Sequence, residues 1–279
     1  MFIRSLLLAI LVTFSTMLSA TADESKKQRV MLQARLVADG PVLKDGVEWR
    51  IFEVDPTASK DLEELVFSFG GTKVFDVDPG EYYVHAAFGH AAAVRKISVT
   101  DKALREDFAL NAGGLKLNAT ASENVGIPKR LLRFDIYEEE LLEDGNRKLL
   151  ARNVKPDEVV AFPVGTYHVI SRFGDFNATV RADLRVQLGK LTEATMTHRA
   201  SILTFRLVRQ QGGDAVADTS WSVLTENGEV IQESTSTFPT MVLAEGNYTA
   251  IAKHNDVVYS QDFEVRSGFN RDVEVLILN

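Results

Sequence analysis

The sequence Gly-x-Tyr occurs three times in this chain of 279 residues, each time opening a segment of alternating polar and apolar residues. The segments are DPGEYYVHAAFGH (78–90), PVGTYHVISRFGD (163–175) and LAEGNYTAIAKHN (243–255), with Gly80/Tyr82, Gly165/Tyr167 and Gly246/Tyr248. The tyrosines are 85 and 81 residues apart. Internal repetition constrains the fold strongly, because every repeat has to build the same structural unit.

Two further landmarks recur in the same order. Upstream of each tyrosine, VEWRIFE (47–53), LRFDIYE (132–138) and TSWSVLT (219–225) centre an aromatic residue in an alternating strand: Trp49, Phe134 and Trp221. Downstream, comparable strands end at Val99, Val186 and Val265. We interpret the chain as a triplicated unit of roughly 80–85 residues.

Each repeat has the sequence character of β-structure. Segments with period-2 alternation are separated by turn signals such as Asp45-Gly46, Asp144-Gly145 and Asn227-Gly228. No segment after residue 22 predicts a long amphipathic helix. We therefore predict an all-β protein with three tandem immunoglobulin-like or transthyretin-like β-sandwich repeats after a signal peptide. The predicted repeats span 28–111, 112–199 and 200–279.

The alternation also predicts which side chains face inward. If the tyrosine of each motif is buried, Val84 and Ala86 are buried with it, as are their equivalents in the other repeats. We expect the Trp49-type aromatics to meet them from the facing sheet. The glycine is expected to provide a tight turn or a positive φ. The tyrosine hydroxyl is expected to bond a backbone group, as in the tyrosine corner of sandwich domains.

In the first repeat, GVEWRIF followed by DPGEYYV resembles the carboxypeptidase-regulatory-like or transthyretin-like sandwich modules of bacterial envelope proteins. The other repeats depart from this pattern, since Pro163-Val164-Gly165 and Ala244-Glu245-Gly246 replace Pro-Gly. The resemblance implies non-catalytic binding or spacing domains.

The N-terminus predicts export. Residues 1–22 combine an early Arg4, an apolar run and a closing Ala20-Thr21-Ala22, which is the layout of a cleaved signal peptide; an uncleaved anchor is the alternative. An exported chain without cysteine is typical of the bacterial periplasm, with secretion as the alternative. After cleavage we expect no membrane span.

The formal net charge of −8 argues against nucleic acid as a partner.

The segments that join the repeats, NAGG (111–114) and THRAS (197–201), are short. We therefore expect a semi-rigid array that bends, if at all, at the glycines of the first joint.

No established catalytic motif occurs, so we predict that the chain is not an enzyme and has no catalytic residue, cofactor or metal. Two alternatives stay open. A degenerate enzyme would need His85 and His90 together beside an acidic cluster. A calcium loop is conceivable at Glu53-Val54-Asp55 or Asp76-Val77-Asp78, although solvated acidic loops are favoured.

Strand phase predicts an outward-facing apolar strip that runs through the three repeats. Its residues are Phe52, Tyr137, Leu224, Tyr83, Ile170 and Ile251. The preferred function is a non-catalytic periplasmic binding or spacer protein that engages an envelope or secreted protein partner, by this strip or by a sheet edge. The alternative is a carbohydrate-binding accessory protein, which would present Tyr83, Tyr137 or Phe52 as a solvent-exposed platform for glycans.

Overall fold

The structure is a computed structural model that describes residues 26–54, 63–123 and 125–277. The predicted signal peptide at 1–22 lies outside the described residues. Apart from one 3₁₀ turn at Lys129–Leu131, every regular element in these ranges is a β-strand. The protein is all-β, as the alternation predicts.

The strands form three successive units. The first contains β1 (Gln28–Arg35), β2 (Val47–Glu53), β3 (Glu63–Gly70), β4 (Lys73–Val77), β5 (Gly80–Phe88), β6 (Ala91–Val99) and β7 (Leu104–Ala109). The second contains β8 (Ala112–Ala121), β9 (Val125–Gly126), β10 (Leu132–Leu141), β11 (Arg147–Val154), β12 (Val159–Pro163), β13 (Gly165–Phe173), β14 (Thr179–Val186) and β15 (Leu191–His198). The third contains β16 (Ala200–Val208), β17 (Ser220–Thr225), β18 (Val230–Ser234), β19 (Thr240–Ala244), β20 (Gly246–His254), β21 (Val257–Val265) and β22 (Arg271–Leu276).

All three units share one sandwich topology, with a four-stranded sheet packed against a second sheet of three strands, to which the second unit adds the short strand β9. The four-stranded sheets, called the long sheets below, have the orders β3-β2-β5-β6, β11-β10-β13-β14 and β18-β17-β20-β21. The second sheets have the orders β4-β1-β7, β12-β8-β15 and β19-β16-β22, and β9 is a fourth strand that pairs with β8. In each unit the last strand runs parallel to the first.

The core of each unit lies between its two sheets. In the first unit Tyr82, Val84 and Ala86 are buried on β5, as their phase predicts. Trp49 is buried beside them on the adjacent strand β2, in register with Ala86. The expectation that these aromatics come from the facing sheet is therefore wrong, because alternation gives the buried face of a strand but not its neighbours. The facing sheet supplies Phe108, whose ring makes an edge contact with Trp49 at 5.6 Å.

The first joint contains no flexible tract. Gly113 and Gly114 lie inside β8, and the Gly114 amide donates to the Lys190 carbonyl at 2.9 Å. A Cβ on Gly113 would lie 2.2 Å from the Gln187 carbonyl oxygen. These glycines allow close packing of the backbone, and bending at this joint stays a prediction.

Candidate functional site

In each unit the repeated tyrosine donates a hydrogen bond to a backbone carbonyl at the same relative position. Their hydroxyls donate to the carbonyls four residues earlier: Tyr82 to Asp78 at 2.7 Å, Tyr167 to Pro163 at 2.8 Å and Tyr248 to Ala244 at 2.8 Å. Burial raises the pKa of each phenol, with a further rise at Tyr82 from Glu53 and Asp78. Each tyrosine therefore bonds a strand end to a strand start, which is a structural role.

The glycine before each tyrosine leaves room for the aromatic ring. Only Gly246 has a positive φ, of 156°, so a left-handed conformation does not account for Gly80 and Gly165. A Cβ on Gly80 would lie 3.3 Å from the Tyr82 hydroxyl, and one on Gly165 would lie 3.6 Å from the Tyr167 hydroxyl. The tyrosine rings cross directly over these positions.

The predicted strip residues are half-buried on the outer faces of the long sheets. Phe52 stands opposite Tyr83, so two apolar rings are neighbours in the first unit. In the other units each strip residue has a polar neighbour on one side, although Tyr137 is also opposite Leu149 and Leu224 opposite Val230. Tyr137 is opposite His168, Ile170 opposite Asp135, Leu224 opposite Thr249 and Ile251 opposite Ser222.

Around Phe52 and Tyr83 the outer face contains further apolar side chains that sequence reasoning missed. Leu65, Phe67, Phe69 and Val94 have 43%, 55%, 60% and 64% of their surface exposed. The segment LVFSF contained the signal, since its alternate residues are large and apolar, but its phase relative to the core could not be read from the sequence. We call Phe52, Tyr83 and these four residues the unit-1 face.

One arginine lies at the centre of the unit-1 face. Its guanidinium bonds Glu48 at 2.8 Å and Glu64 at 3.1 Å, and lies 5.2 Å from the ring centre of Phe67. This residue, Arg50, also lines a shallow recess with Glu48, Phe52, Tyr83, His85 and Val94. The centre of the face is thus a charge-paired group bordered by apolar rings.

The same face has more polar groups in the other units, although Leu149, Val230 and Val258 also lie on it. In the second unit Asp135 binds Arg172 at 3.0 Å, and His168 contacts Asp183 at 2.7 Å. In the third unit Thr249 donates to Asp262 at 2.7 Å. Among the described residues, the first unit therefore has the largest group of exposed apolar side chains on its outer face, although all three units share one topology.

At each of the two junctions, a turn of one unit packs against the next unit along the chain. Gly89 follows β5 and Gly174 follows β13. A Cβ on Gly89 would lie 3.0 Å from the Ala161 carbonyl oxygen, and one on Gly174 would lie 2.7 Å from the Val242 Cβ. Ala161 and Val242 occupy the same position on β12 and β19. The two junctions thus repeat one packing arrangement.

Side chains reinforce each junction differently. The His90 ring stacks on Phe162 with centroids 4.7 Å apart and planes at 9°, and burial lowers the pKa of this histidine. At the second junction, Asn177 donates to the Tyr248 hydroxyl at 2.9 Å and accepts from the Ala244 amide at 2.9 Å.

The histidines and carboxylates considered for catalysis or metal binding do not lie together among the described residues. His85 faces outward in the recess of the unit-1 face, whereas His90 is packed against the second unit. Asp55, part of one conceivable calcium loop, lies outside the described residues. Among the described residues no group of three or more His, Asp or Glu side chains could hold a metal ion. Within the same ranges, no helix has the length and apolar character needed to cross a membrane.

Comparisons with known proteins connect the third unit to a described family. The model of the Rhizobiales growth-associated tandem repeat domain matches residues 202–277. No curated protein matches the sequence significantly.

Solved structures show only distant resemblance. A streptococcal ancillary pilin is 13% identical with a TM-score of 0.34, over 90% of this chain and 99% of the pilin. The major pilin subunit BcpA of Bacillus cereus is 10% identical with a TM-score of 0.27, over 90% and 99% of the two chains. The Bacillus anthracis TIE protein is 17% identical with a TM-score of 0.27, and the match covers 90% of this chain but half of that protein. Resemblance at this level says nothing about activity or partners.

Proposed function

We propose that this chain is a non-catalytic, exported protein of the bacterial periplasm that binds a protein partner of the cell envelope and spaces it from other components. The observation that carries this proposal is the unit-1 face. The three units share a topology, yet the first has Phe67 where the third has Glu233, and Val94 where the other two have Arg181 and Ser260.

The physical reason is the cost of leaving such a face in water. Single exposed apolar residues are ordinary, but a contiguous set on a sheet face is typical of an interaction surface. Phe67, Phe69 and Val94 each expose more than half of their surface. Burying them against a partner would remove apolar area from water at about 25 cal/mol per Å². The charge pairs of Arg50 would supply polar contacts at the centre of the interface.

The packed junctions support the spacing role. Each junction combines a close glycine contact and side-chain packing with a backbone hydrogen bond, from the His90 amide to the Ala161 carbonyl at the first and from the Glu245 amide to the Arg199 carbonyl at the second. An array held in this way keeps the second and third units at a defined position relative to a partner bound on the first. The description of the family that the third unit matches, growth-associated, supports an envelope partner involved in cell growth.

A capture experiment from native cell envelopes tests the proposal. The binding variant is Phe52→Ser/Tyr83→Ser, and the matched control is Leu224→Ser/Ile251→Ser, which removes half-buried apolar residues from the outer face of the third unit. Circular dichroism and thermal unfolding first establish that both variants are folded. Crosslinking then identifies what the wild-type chain retains.

We expect one envelope protein to be captured at wild-type level by the control and to be lost with the binding variant. Equal capture by both variants would place the binding site elsewhere. Retention of glycan without protein would contradict the proposal and favour the carbohydrate-binding function.

A further inference from the structure

Strand β3 forms an edge of the first long sheet, and its outward side has no described strand beside it. The strand begins with Glu63 and Glu64 and then continues as six uncharged residues, LVFSFG. An edge strand presents unpaired backbone N–H and C=O groups, and proteins usually protect such edges with charges, bulges or short length. The one bulge of β3, between Glu64 and Val66, leaves the following residues in regular pairing with β2.

The other edges of the long sheets are protected. Charged side chains are placed along them: Arg95 and Lys96 on β6, Arg147, Lys148 and Arg152 on β11, Arg181, Asp183 and Arg185 on β14, and Asp262 and Glu264 on β21. Strand β18, the equivalent of β3 in the third unit, has only five residues and includes Glu233. Among the described edges of the long sheets, β3 has the most large exposed apolar side chains, with Leu65, Phe67 and Phe69, whereas β18 has Val230 and β21 has Val257 and Val258.

We propose that two copies of this chain pair through β3, antiparallel, about a two-fold axis at Phe67. This inference goes beyond the proposed function, because it assigns the edge of the sheet to a second copy and leaves its outer face to the envelope partner. In this register Phe67 stands opposite Phe67 of the second copy, and Leu65 stands opposite its Phe69. Cross-strand aromatic and aliphatic pairs of this kind stabilise antiparallel strands.

The charges around β3 are compatible with this pairing. Glu64 would stand opposite Gly70 of the second copy, where the Lys73 ammonium lies 3.1 Å from the position of a Cβ on that glycine. The Asp45 carboxylate is also nearby, at 3.9 Å, but it accepts the Gly46 amide at 2.8 Å. No two carboxylates would stand directly opposite each other, so the register is compatible in charge with a two-fold pairing.

The pairing has a consequence for the proposed binding surface. A two-fold axis perpendicular to the sheet puts the same residues of both copies on the same side. The two long sheets would then form one eight-stranded sheet, and the two unit-1 faces would become one apolar surface of twice the area. An envelope partner with two-fold symmetry would fit such a surface.

Sedimentation of the exported chain, residues 23–279, at submillimolar concentration tests the pairing. The wild type is expected to be dimeric. Phe67→Glu would place two carboxylates on the two-fold axis of the dimer, whereas in the monomer the new carboxylate lies beside Arg50. We expect it to raise the dissociation constant by about tenfold or more. Val230→Glu makes the same change on β18 and is expected to leave the dimer intact.

A gain-of-signal variant covers the case in which Phe67→Glu perturbs folding. The chain has no cysteine, so a single introduced thiol can form a disulfide only between copies. Opposed residues of antiparallel strands have Cβ atoms about 4.5–5.5 Å apart, close to disulfide geometry. Phe67→Cys is expected to give a covalent dimer on mild oxidation, whereas Val94→Cys, on the opposite edge, is not.

The proposal is overturned by a wild-type monomer whose Phe67→Cys variant does not crosslink. It is equally overturned by a dimer that Phe67→Glu leaves unchanged, since the contact then lies elsewhere. Neither result alters the outcome expected for Phe52→Ser/Tyr83→Ser in the capture experiment, so the two proposals fail independently.

Discussion

The Nε2 atom of His198 lies 2.7 Å from the Ser171 hydroxyl oxygen, and both side chains are buried beside the second junction. The His198 ring also makes an edge contact with Phe173, with centroids 5.8 Å apart. Burial lowers the pKa of His198 from 6.5 to about 4. The histidine is therefore neutral in the folded protein where it would already be protonated in the unfolded chain.

The burial of neutral His198 beside Ser171 predicts a loss of stability in mild acid. Because the folded pKa lies below the unfolded one, the stabilisation is complete above pH 6.5 and is lost as the pH falls towards 4. The full effect is about 3 kcal/mol. Urea unfolding of the wild type and of His198→Gln at a series of pH values measures it. We expect a flatter pH dependence in His198→Gln, with His254→Gln as the control. Equal slopes in all three proteins would contradict this role.

The second junction predicts a specific effect of adding one methyl group. Gly174 has a φ of 72°, and its Cβ would lie 2.7 Å from the Val242 Cβ. Gly145 has a φ of 79°, and nothing lies within 4 Å of its Cβ position. We expect Gly145→Ala to cost roughly 1 kcal/mol from backbone strain and Gly174→Ala about 1–3 kcal/mol more from overpacking. Denaturant unfolding compares them. Equal costs would show that the junction is not tightly packed.

The bond between Asn177 and Tyr248 predicts energetic coupling between the second and third units. In a double-mutant cycle of Asn177→Ala and Tyr248→Phe, we expect a coupling free energy of about 1 kcal/mol, because both changes remove one shared hydrogen bond. A cycle of Asn177→Ala with Tyr82→Phe, in the distant first unit, is expected to be additive. Additivity in both cycles would mean that the bond does not contribute to stability.

Much of the fold could be predicted from the sequence because the same strand pattern occurs in three repeats, so each repeat supports the strand positions predicted for the other two. The strands predicted to end at Val99, Val186 and Val265 do end there. The buried phase of Tyr82, Val84 and Ala86 also follows from alternation. Strand adjacency could not be predicted, because alternation carries no information about which strands are hydrogen-bonded neighbours. The prediction that Trp49 lies in the facing sheet is wrong for this reason.

The candidate site was harder to predict for the same reason. Phe52 and Tyr83 were placed on an outer face by their phase, but Phe67 and Val94 reach that face only through pairing between β2, β3, β5 and β6. The difference between the first unit and the others also depends on these pairings. Comparing equivalent residues of the three repeats one at a time therefore does not reveal this difference.

The unit-1 face is tested most directly by photocrosslinking in living cells. A photoreactive phenylalanine analogue is introduced at Tyr83 in one strain and at Thr249, the equivalent position of the third unit, in another. We expect a discrete adduct with one envelope protein from position 83 and none from position 249. Adducts of equal intensity from both positions, or none from position 83 while the folded protein is exported normally, would contradict it.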